Sequence, residues 1–450
     1  MKNKEINKAI VKEVRKLISD NPAKLRSYLS KFHPSEVAVL LEKINNEDEL
    51  MAIFGKLPIE MAPEVMAELN DEIHPERILE LLHPTIVKRI IDELDADDAV
   101  DIIAKLDEST QEEILNRISE DSAINLRKLL AYKEDSAGGI MTTELVKVSI
   151  NDSRAQAIKS VISQSEDVDN FFVVFAVDEH DRLVGTVTLQ KLITAKSTDR
   201  ISDLVEDELI YVEEDADQEE VVKIISQYNL PGLPVVDKAM VLVGRITFDD
   251  VMDIMEEEST EDLLKLSGVS IDEELRGTWQ SAVKSRLPWL IVNLATASLA
   301  SLVVLYFQDA IDKMVVLAVI MPIVAGLGGN AATQALAVTI RRLAVSDITT
   351  AQAYRTVSKE VLVGLINGMS IGTLISIIAF LSNQDPMLGV VVFTAMTGNL
   401  MIAGLTGSAT PMILERLGVD PAVASSVFIT AFTDVVGFIL LFVSASILLL

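Results

Sequence analysis

The sequence predicts a multi-domain membrane protein, in which a charged helical and α/β region precedes an all-α transmembrane domain of five helices. Three observations support this fold class. The 450-residue chain turns from densely charged to apolar near residue 285, although its average hydrophobic content is only 49%. Five apolar stretches follow that boundary, and an internal repeat occupies residues 138–255 before it.

The five apolar stretches are each long enough to cross a bilayer, which takes roughly 20 apolar residues as helix. They are 287–307, 314–340, 360–381, 387–413 and 421–449. The start of the chain lacks the apolar core of a signal peptide, so we expect the N-terminal half in the cytoplasm. Five crossings from there would place the C-terminus outside. Basic residues are concentrated in the loops that this orientation makes cytoplasmic, as the positive-inside rule requires: Lys284, Arg286, Arg341, Arg342, Arg355, Lys359 and Arg416.

Charge is distributed very unevenly along the chain. Residues 287–450 hold eight acids and six bases, and subtracting their net −2 from the chain's −29 leaves −27 on residues 1–286. Such a region repels nucleic acid and anionic lipid and attracts cations. The chain has no cysteine, which excludes disulfides and thiolate metal sites.

One charged residue, Asp434, lies deep inside a predicted membrane helix. A carboxylate at that depth costs roughly 2.5–3.5 kcal/mol on insertion scales, so we expect it to face a cavity or a partner. Protonation or hydrogen bonding to the backbone would also satisfy it. A cation ligand is the interpretation we favour.

The second apolar stretch contains a run of helix-breaking and polar residues. Pro322 and three glycines predict a broken helix whose freed carbonyls line a cavity. Oxygen ligands are predicted there at Asn330, Thr333 and Gln334, although small-residue helix packing also explains glycines. Neutral oxygens with one carboxylate suit Mg²⁺, Ca²⁺, Mn²⁺ or an alkali ion rather than a soft metal.

Residues 1–132 read as short amphipathic helices separated by prolines, in a loose repeat of turn plus helix. Serial short helices predict an α-superhelix. Three histidines that each precede a proline, His33, His74 and His83, are predicted to be turn or capping residues.

Residues 133–257 contain two copies of one α/β unit. Val184-Gly-Thr-Val-Thr-Leu-Gln-Lys-Leu returns as Val243-Gly-Arg-Ile-Thr-Phe-Asp-Asp-Val, 59 residues later. This unit resembles the tandem CBS domain, which often senses adenine nucleotides. The Gly-x-x-Thr-x-x-Asp element used for ribose is complete in the second copy, at Gly244, Thr247 and Asp250, whereas Lys191 replaces the aspartate in the first. The resemblance implies ATP as a possible ligand.

An acidic segment joins the repeat to the membrane domain. Glu258, Glu261 and Asp262 fall at i, i+3 and i+4 and would share one helix face, where like charges repel without a cation between them. A solvated acidic face is the ordinary alternative. We predict a connecting helix over 258–284 that couples the acidic region to the transmembrane domain, 285–450.

The order of parts, the Gly-Gly-Asn-x-x-x-Gln sequence from Gly328 and Leu-Gly-Val-Asp-Pro-Ala before a Thr-Asp helix together resemble the MgtE magnesium transporter family. The resemblance implies a homodimer with a pore on its axis, lined by the second and fifth helices. It also implies Mg²⁺ binding between the cytoplasmic domains, which closes the pore through a "plug" helix.

Site residues are carried over from the family position by position. The pore aspartate corresponds to Asp434, and the pore's polar ring to Gly328, Gly329, Asn330 and Thr333, beside Gln334. The regulatory acids correspond to Asp97, Asp101, Asp217, Glu219, Asp250, Asp253, Glu258, Glu261, Asp262 and Asp420. The chain departs from the family pattern at Ala332 and Thr333, and at Asn229, where some members carry an acid.

Two rival functions remain open from the residues alone. A proton- or Na⁺-coupled carrier could use Asp434 as its titrating group, and a membrane protein of this composition could sense metal or nucleotide without transport. No Ser/His/Asp, Cys/His, P-loop or paired-carboxylate arrangement stands out, so we do not expect an enzyme. The lead interpretation is Mg²⁺ uptake that is closed by Mg²⁺.

Overall fold

The computed structural model describes residues 6, 8–44, 46–70, 73–165, 168, 171–206, 208–269, 279–345, 349–383, 385–421 and 426–449. These residues form two compact units, Met1–Glu256 and Glu257–Leu450, each of which is described by itself.

The described residues of the first unit begin with ten helices, most of them short, as the proline-punctuated pattern predicts. They are α1 Lys8–Asp20, α2 Pro22–Leu29, α3 Pro34–Glu42, α4 Glu47–Phe54, α5 Ala62–Ala67, α6 Pro75–Leu81, α7 Pro84–Glu93, α8 Ala96–Ala104, α9 Glu108–Leu115 and α10 Glu120–Leu129. Proline occupies the first turn of several of them, where its missing N–H costs no intrahelical bond. His33, His74 and His83 are the N-cap residues of α3, α6 and α7, which confirms their predicted role.

The two α/β repeats follow, and the structure confirms their equivalence. The first copy contains β1 Lys147–Ser149, α11 Arg154–Gln164, β2 Val173–Val177, β3 Leu183–Thr188 and α12 Leu189–Thr194. The second contains β4 Val212–Glu213, α13 Gln218–Tyr228, β5 Gly232–Val236, β6 Leu242–Thr247 and α14 Phe248–Leu266. The sheets have the orders β1-β2-β3 and β4-β5-β6, each with one parallel and one antiparallel pair.

The aspartate turn of each copy has the same hydrogen bonds. Asp178 Oδ1 accepts from the amides of His180 and Arg182, and Asp237 Oδ1 accepts from those of Ala239 and Val241. These bonds reverse the chain between the two antiparallel strands. The repeat read from the sequence is therefore a structural repeat.

Among the described residues of the second unit, five helices are long and apolar enough to span a membrane, as predicted. The helices after α14 are α15 Trp279–Tyr306, the short α16 Gln308–Lys313, α17 Val316–Val345, α18 Thr350–Asn383, α19 Pro386–Arg416 and α20 Ser426–Leu448. The Gly-rich α19 is continuous over 31 residues and is not interrupted midway.

The predicted break in the second membrane helix is wrong. α17 is one continuous helix of 30 residues with Pro322 inside it. Proline and glycine are tolerated in membrane helices where neighbouring helices compensate for lost backbone interactions. Here two of the glycines serve as contact points for α19 and α20, so helix packing accounts for them.

Candidate functional site

Asp434 lies on the face of α20 that packs against α17. Thr430 and Gly437, four residues before it and three after it, share this face. A Cβ atom on Gly329 of α17 would lie 2.8 Å from Thr430 Cγ2, and one on Gly437 would lie 3.0 Å from Val324 Cγ1. Asp434 is therefore held between these two helix contacts.

The Oδ1 atom of Asp434 is buried and has no hydrogen-bond partner among the residues that the structure describes. Buried polar groups normally have such a partner, and each exception calls for an explanation. An unpartnered carboxylate oxygen in the interior of a membrane domain is available to a cation. A cation ligand at Asp434 stays a prediction.

Asn399 of α19 joins the three central membrane helices. Its side chain is fully buried, and Nδ2 donates a 2.9 Å hydrogen bond to the carbonyl of Val324 on α17. Cβ atoms on Gly328 and Gly437 would lie 2.3 and 2.8 Å from Nδ2. The two glycines thus let α17 and α20 close on this amide, which fixes their spacing at the level of Asp434.

The remaining predicted pore residues occupy different faces of α17. Gly328 and Gly329 are buried against Asn399 and Thr430, whereas Asn330 and Thr333 are exposed. Gln334 is also exposed, but it lines a lateral cavity shared with α18 and α19. Asn330 and Thr333, three residues apart, therefore present polar side chains on one exposed face of α17. Their role as a pore ring stays a prediction.

A cluster of carboxylates lies at the start of α8 in the first unit. Oxygens of Asp95, Asp97 and Asp98 lie within 4.8 Å of one another, a geometry that can hold a metal ion. Asp97 Oδ1 is buried without a hydrogen-bond partner in the described part of the chain. Oxygen-only ligands of this kind suit Mg²⁺ or Ca²⁺.

Mutual repulsion in this cluster extends to Asp250 on α14. Burial, followed by the charges of Asp250, Asp98 and Asp95, raises the pKa of Asp97 well above its usual value. Burial, followed by the charges of Asp95 and Asp250, raises the pKa of Asp98 to about 7. Burial also raises the pKa of Asp250, even though hydrogen bonds from Thr247 oppose the shift. A cation placed among these carboxylates would compensate for their lost hydration and would offset their mutual repulsion.

The other predicted regulatory acids of the first unit are placed as follows. Asp101 is exposed on α8 and contributes to the raised pKa of Asp98. Asp253, one turn beyond Asp250, has a raised pKa because of burial and the charges of Glu256, Glu68 and Asp249. Asp217 is the N-cap of α13 and accepts from the amide of Glu219 at 2.9 Å, and both side chains are exposed. Their metal role stays a prediction.

A second charged cluster lies within the Glu257–Leu450 unit. Lys265 Nζ lies 2.6 Å from Asp420 Oδ2 and also contacts Glu261. Burial disfavours its charge, but the hydrogen bonds to Asp420 and Glu261 outweigh burial and raise its pKa. Burial and the charge of Asp420 raise the pKa of Asp262, while Lys265 opposes that shift. Glu258 is half-buried on the same helix.

Two residues of the ribose-type element in the second repeat are hydrogen-bonded to each other. Thr247 donates to Asp250 Oδ2 through both its hydroxyl and its amide, the latter at 3.2 Å. In the first copy, Lys191 instead pairs with Glu206 at 2.9 Å. The complete element thus lies beside the α8 carboxylates, because Asp250 takes part in both.

Sequence reasoning missed three residues that this geometry brings forward. Asp95 and Asp98 could have been found as the acidic neighbours of Asp97 in the first turn of α8. Lys265 follows Glu261 at helical spacing, which was a usable signal. The contacts of Asn399 depend on the packing of three helices, which no local sequence pattern shows.

Family models match segments of both the cytoplasmic and the membrane part of this chain. Family models described as "Divalent cation transporter" and "MgtE intracellular N domain" match residues 321–444 and 32–135. The CBS domain matches residues 137–198 and 201–257. A magnesium transporter MgtE of Enterococcus faecalis is 35% identical over 330 residues, which is 72% of this chain and 72% of the relative. The chain belongs to the MgtE family.

Further members agree with this assignment. The MgtE magnesium transporter of Thermus thermophilus is 33% identical over 72% of both chains. A solved cytosolic domain of the Mg²⁺ channel MgtE in complex with ATP is 28% identical, with a TM-score of 0.51 over 54% of this chain and 99% of that one. The soluble part of a magnesium transporter matches at 25% identity with a TM-score of 0.50, over 55% and 98%. These matches confirm the MgtE resemblance and the predicted order of N domain, CBS pair and membrane helices.

Proposed function

We propose that this MgtE-family protein conducts Mg²⁺ across the membrane through a pathway between α17 and α20. The observation that carries the proposal is the buried, unpartnered Oδ1 of Asp434 on the α17-facing side of α20. A lone carboxylate among neutral oxygens suits Mg²⁺, because this ion gives up its hydration shell reluctantly and is held through its waters. The names of the relatives supply the ion.

The active form that we propose is a homodimer. Asn330 and Thr333 are exposed on α17 of the single chain, and polar side chains in a membrane helix face a bundle interior or a water-filled cavity rather than lipid. Packing two copies of this α17 face against each other would enclose Asn330 and Thr333 away from lipid. Gly328, Gly329 and Gln334 would then support the pore lining from behind or from the side.

Regulation would use Mg²⁺ as a ligand of the acidic cytoplasmic region. The α8 carboxylates with Asp250, and the Glu261, Asp262 and Asp420 group, are two oxygen-only donor sets under mutual repulsion. Their occupation at high internal Mg²⁺ would stabilise a closed arrangement of the connecting helix. Asp101, Asp217, Glu219, Asp253 and Glu258 are proposed as further ligands. ATP is proposed as a second ligand of the CBS pair, and the C-terminus is proposed to lie outside the cell.

The test is Mg²⁺ influx into proteoliposomes for wild type, Asp434→Asn and Asp385→Asn. Asp385 is the N-cap of α19, so its substitution changes a loop carboxylate of the same domain as a control. We expect Asp434→Asn to abolish influx and Asp385→Asn to retain it. Unchanged influx in Asp434→Asn would remove Asp434 from the pathway. Wild-type influx that requires an imposed pH or Na⁺ gradient would favour a coupled carrier, and no influx under any gradient would favour a sensor without transport.

A further inference from the structure

A cavity of about 270 Å³ lies between α17, α18 and α19, to one side of the proposed pathway. Gln334 and Val338 of α17 form one wall, and Lys359, Val363 and Asn367 of α18 form the other. All five side chains are exposed, so the cavity opens on the outer surface of the single chain.

At the base of the cavity, two glycines let α18 pack against α19 more closely than residues with side chains would allow. A Cβ atom on Gly364 would lie 2.2 Å from the carbonyl oxygen of Leu400, and one on Gly404 would lie 2.3 Å from that of Glu360. These backbone contacts place α18 directly on α19. The floor of the cavity is formed by the two glycines, Leu400 and Glu360.

The floor and the rim carry opposite charges. The Glu360 side chain is 10% exposed, while that of Lys359 is 65% exposed, and Lys359 Nζ lies 3.5 Å from Glu360 Oε1. Charge-assisted hydrogen bonds are shorter, at about 2.7–2.9 Å. A buried carboxylate needs close compensation, and an exposed lysine beyond hydrogen-bond distance supplies little of it.

These charges lie where α18 enters the apolar part of the membrane domain. Residues 361–383 contain no charged side chain, so Lys359 and Glu360 are the last charges before the hydrocarbon region. With the N-terminal domains in the cytoplasm, this level is the headgroup region of the inner leaflet. Val338 and Val363 provide apolar walls beside the charged pair.

We propose that this cavity binds the headgroup of a zwitterionic phospholipid with a primary ammonium, such as phosphatidylethanolamine. The ammonium would lie against Glu360, the phosphate against Lys359, and the acyl chains along Val338 and Val363. The cavity has the volume of about nine water molecules at ~30 Å³ each, which suits the eight non-hydrogen atoms of a phosphoethanolamine group.

The charge pair selects this ligand over its alternatives. Lys359 repels a bare divalent cation, and Glu360 repels the headgroup of a lipid with net negative charge. A quaternary ammonium such as that of phosphatidylcholine cannot donate a hydrogen bond to the carboxylate. The amides of Gln334 and Asn367 add polar contacts without changing the net charge.

Binding can be measured by native mass spectrometry of the purified full-length protein with matched-chain lipids. Phosphatidylethanolamine, its N-methyl and N,N-dimethyl derivatives, phosphatidylcholine and phosphatidylglycerol are compared at equal concentration. We expect retention to fall stepwise with methylation, with about tenfold stronger binding of phosphatidylethanolamine than of phosphatidylcholine or phosphatidylglycerol. Equal retention of the five lipids by wild type would overturn the proposal without any variant.

Variants then locate the site. Glu360→Gln should abolish the preference for ethanolamine over choline, and Lys359→Met should weaken retention of both lipids. Lys313→Met, a basic residue outside the cavity, serves as the matched control and should behave as wild type. A preference that survives Glu360→Gln would place the lipid elsewhere. Efficient disulfide formation between two copies of Val363→Cys would show that a second chain covers the cavity, and would equally contradict the proposal.

Discussion

The ammonium of Lys265, at the end of α14, lies 2.6 Å from the carboxylate of Asp420, just before α20. The same ammonium contacts Glu261, so one lysine neutralises acids from two segments of the chain. These acids are among the proposed Mg²⁺ ligands. Lys265 therefore holds the position that a regulatory cation would take, and the two are expected to compete.

Lys265→Met is predicted to make the protein more sensitive to internal Mg²⁺. Without the ammonium, Glu261, Asp262 and Asp420 lose their counter-charge and should bind the divalent ion more tightly. We expect the concentration that halves influx to fall by about three- to tenfold, which corresponds to roughly 0.7–1.4 kcal/mol. Lys238→Met is the control, because Lys238 pairs with Asp215 on the exposed surface of the first unit. A rise in the half-inhibiting concentration of Lys265→Met would contradict competition.

The α8 carboxylates predict a stability that decreases with rising pH when Mg²⁺ is absent. Asp98 titrates near 3.9 when unfolded and near 7 when folded, so between these values the folded state holds a proton that the unfolded state has lost. This contribution is complete below about pH 4 and is lost as the pH rises through 7. Hydrogen exchange of α8 amides should therefore be slower at pH 5 than at pH 8, after correction for intrinsic exchange rates.

Two conditions should remove this pH dependence, and one control should not. Asp98→Asn and saturating Mg²⁺ are both expected to flatten the profile, since each removes the buried, uncompensated charge that the proton otherwise neutralises. Asp107→Asn is the control. Hydrogen bonds from Ser109 and Thr110 lower the pKa of Asp107 to about 2, so its loss should leave the slope between pH 5 and 8 intact. A profile in Asp98→Asn as steep as in wild type would assign the titration to other groups.

Gly328→Ala and Gly326→Ala form a matched pair on α17. The new methyl at Gly328 would lie 2.3 Å from Asn399 Nδ2, whereas that at Gly326 meets nothing within 4 Å. Gly328→Ala should lose about 1–3 kcal/mol of stability through overpacking and should lower Mg²⁺ influx. Gly326→Ala should be nearly neutral in thermal unfolding. Equal effects of the two substitutions would show that Asn399 does not set the spacing of α17 and α20.

Asn399 itself should be intolerant of apolar replacement. Asn399→Leu removes a buried hydrogen bond to the Val324 carbonyl, and the net loss of such a bond costs about 0.5–1.5 kcal/mol. Asn399→Gln keeps the amide but adds a methylene. If the hydrogen bond contributes more than the fit of the side chain, Asn399→Gln should be more stable than Asn399→Leu. Thermal unfolding of both variants, with influx as the second measurement, separates these contributions.

The parts of this fold that depend on local pattern could be read from the sequence. Hydropathy is sufficient for the five membrane helices, and the 59-residue offset between Val184 and Val243 is sufficient for the tandem repeat. The continuity of α17 through Pro322 could not be read, because it depends on neighbouring helices. The same is true of Asn399, whose importance arises from contacts with two other helices.

Only part of the candidate site could be predicted from the sequence, because folding decides which distant side chains interact. Asp434 could be identified because a buried charge is costly wherever it lies along a membrane helix. Asp97 and Asp250 came from the family resemblance, since 153 positions separate them in the sequence and only folding shows that their charges interact. The cavity at Glu360 could not be foreseen, because it depends on how closely Gly364 and Gly404 let α18 and α19 approach.

The most direct test of the account is Mg²⁺ influx into proteoliposomes as internal Mg²⁺ is raised stepwise, for wild type and Asp97→Asn. We expect wild-type influx to fall as internal Mg²⁺ rises. In Asp97→Asn the half-inhibiting concentration should rise by about tenfold, because one carboxylate of the regulatory cluster is gone. Wild-type influx that is indifferent to internal Mg²⁺, or an unchanged inhibition curve in Asp97→Asn, would contradict regulation by this cluster.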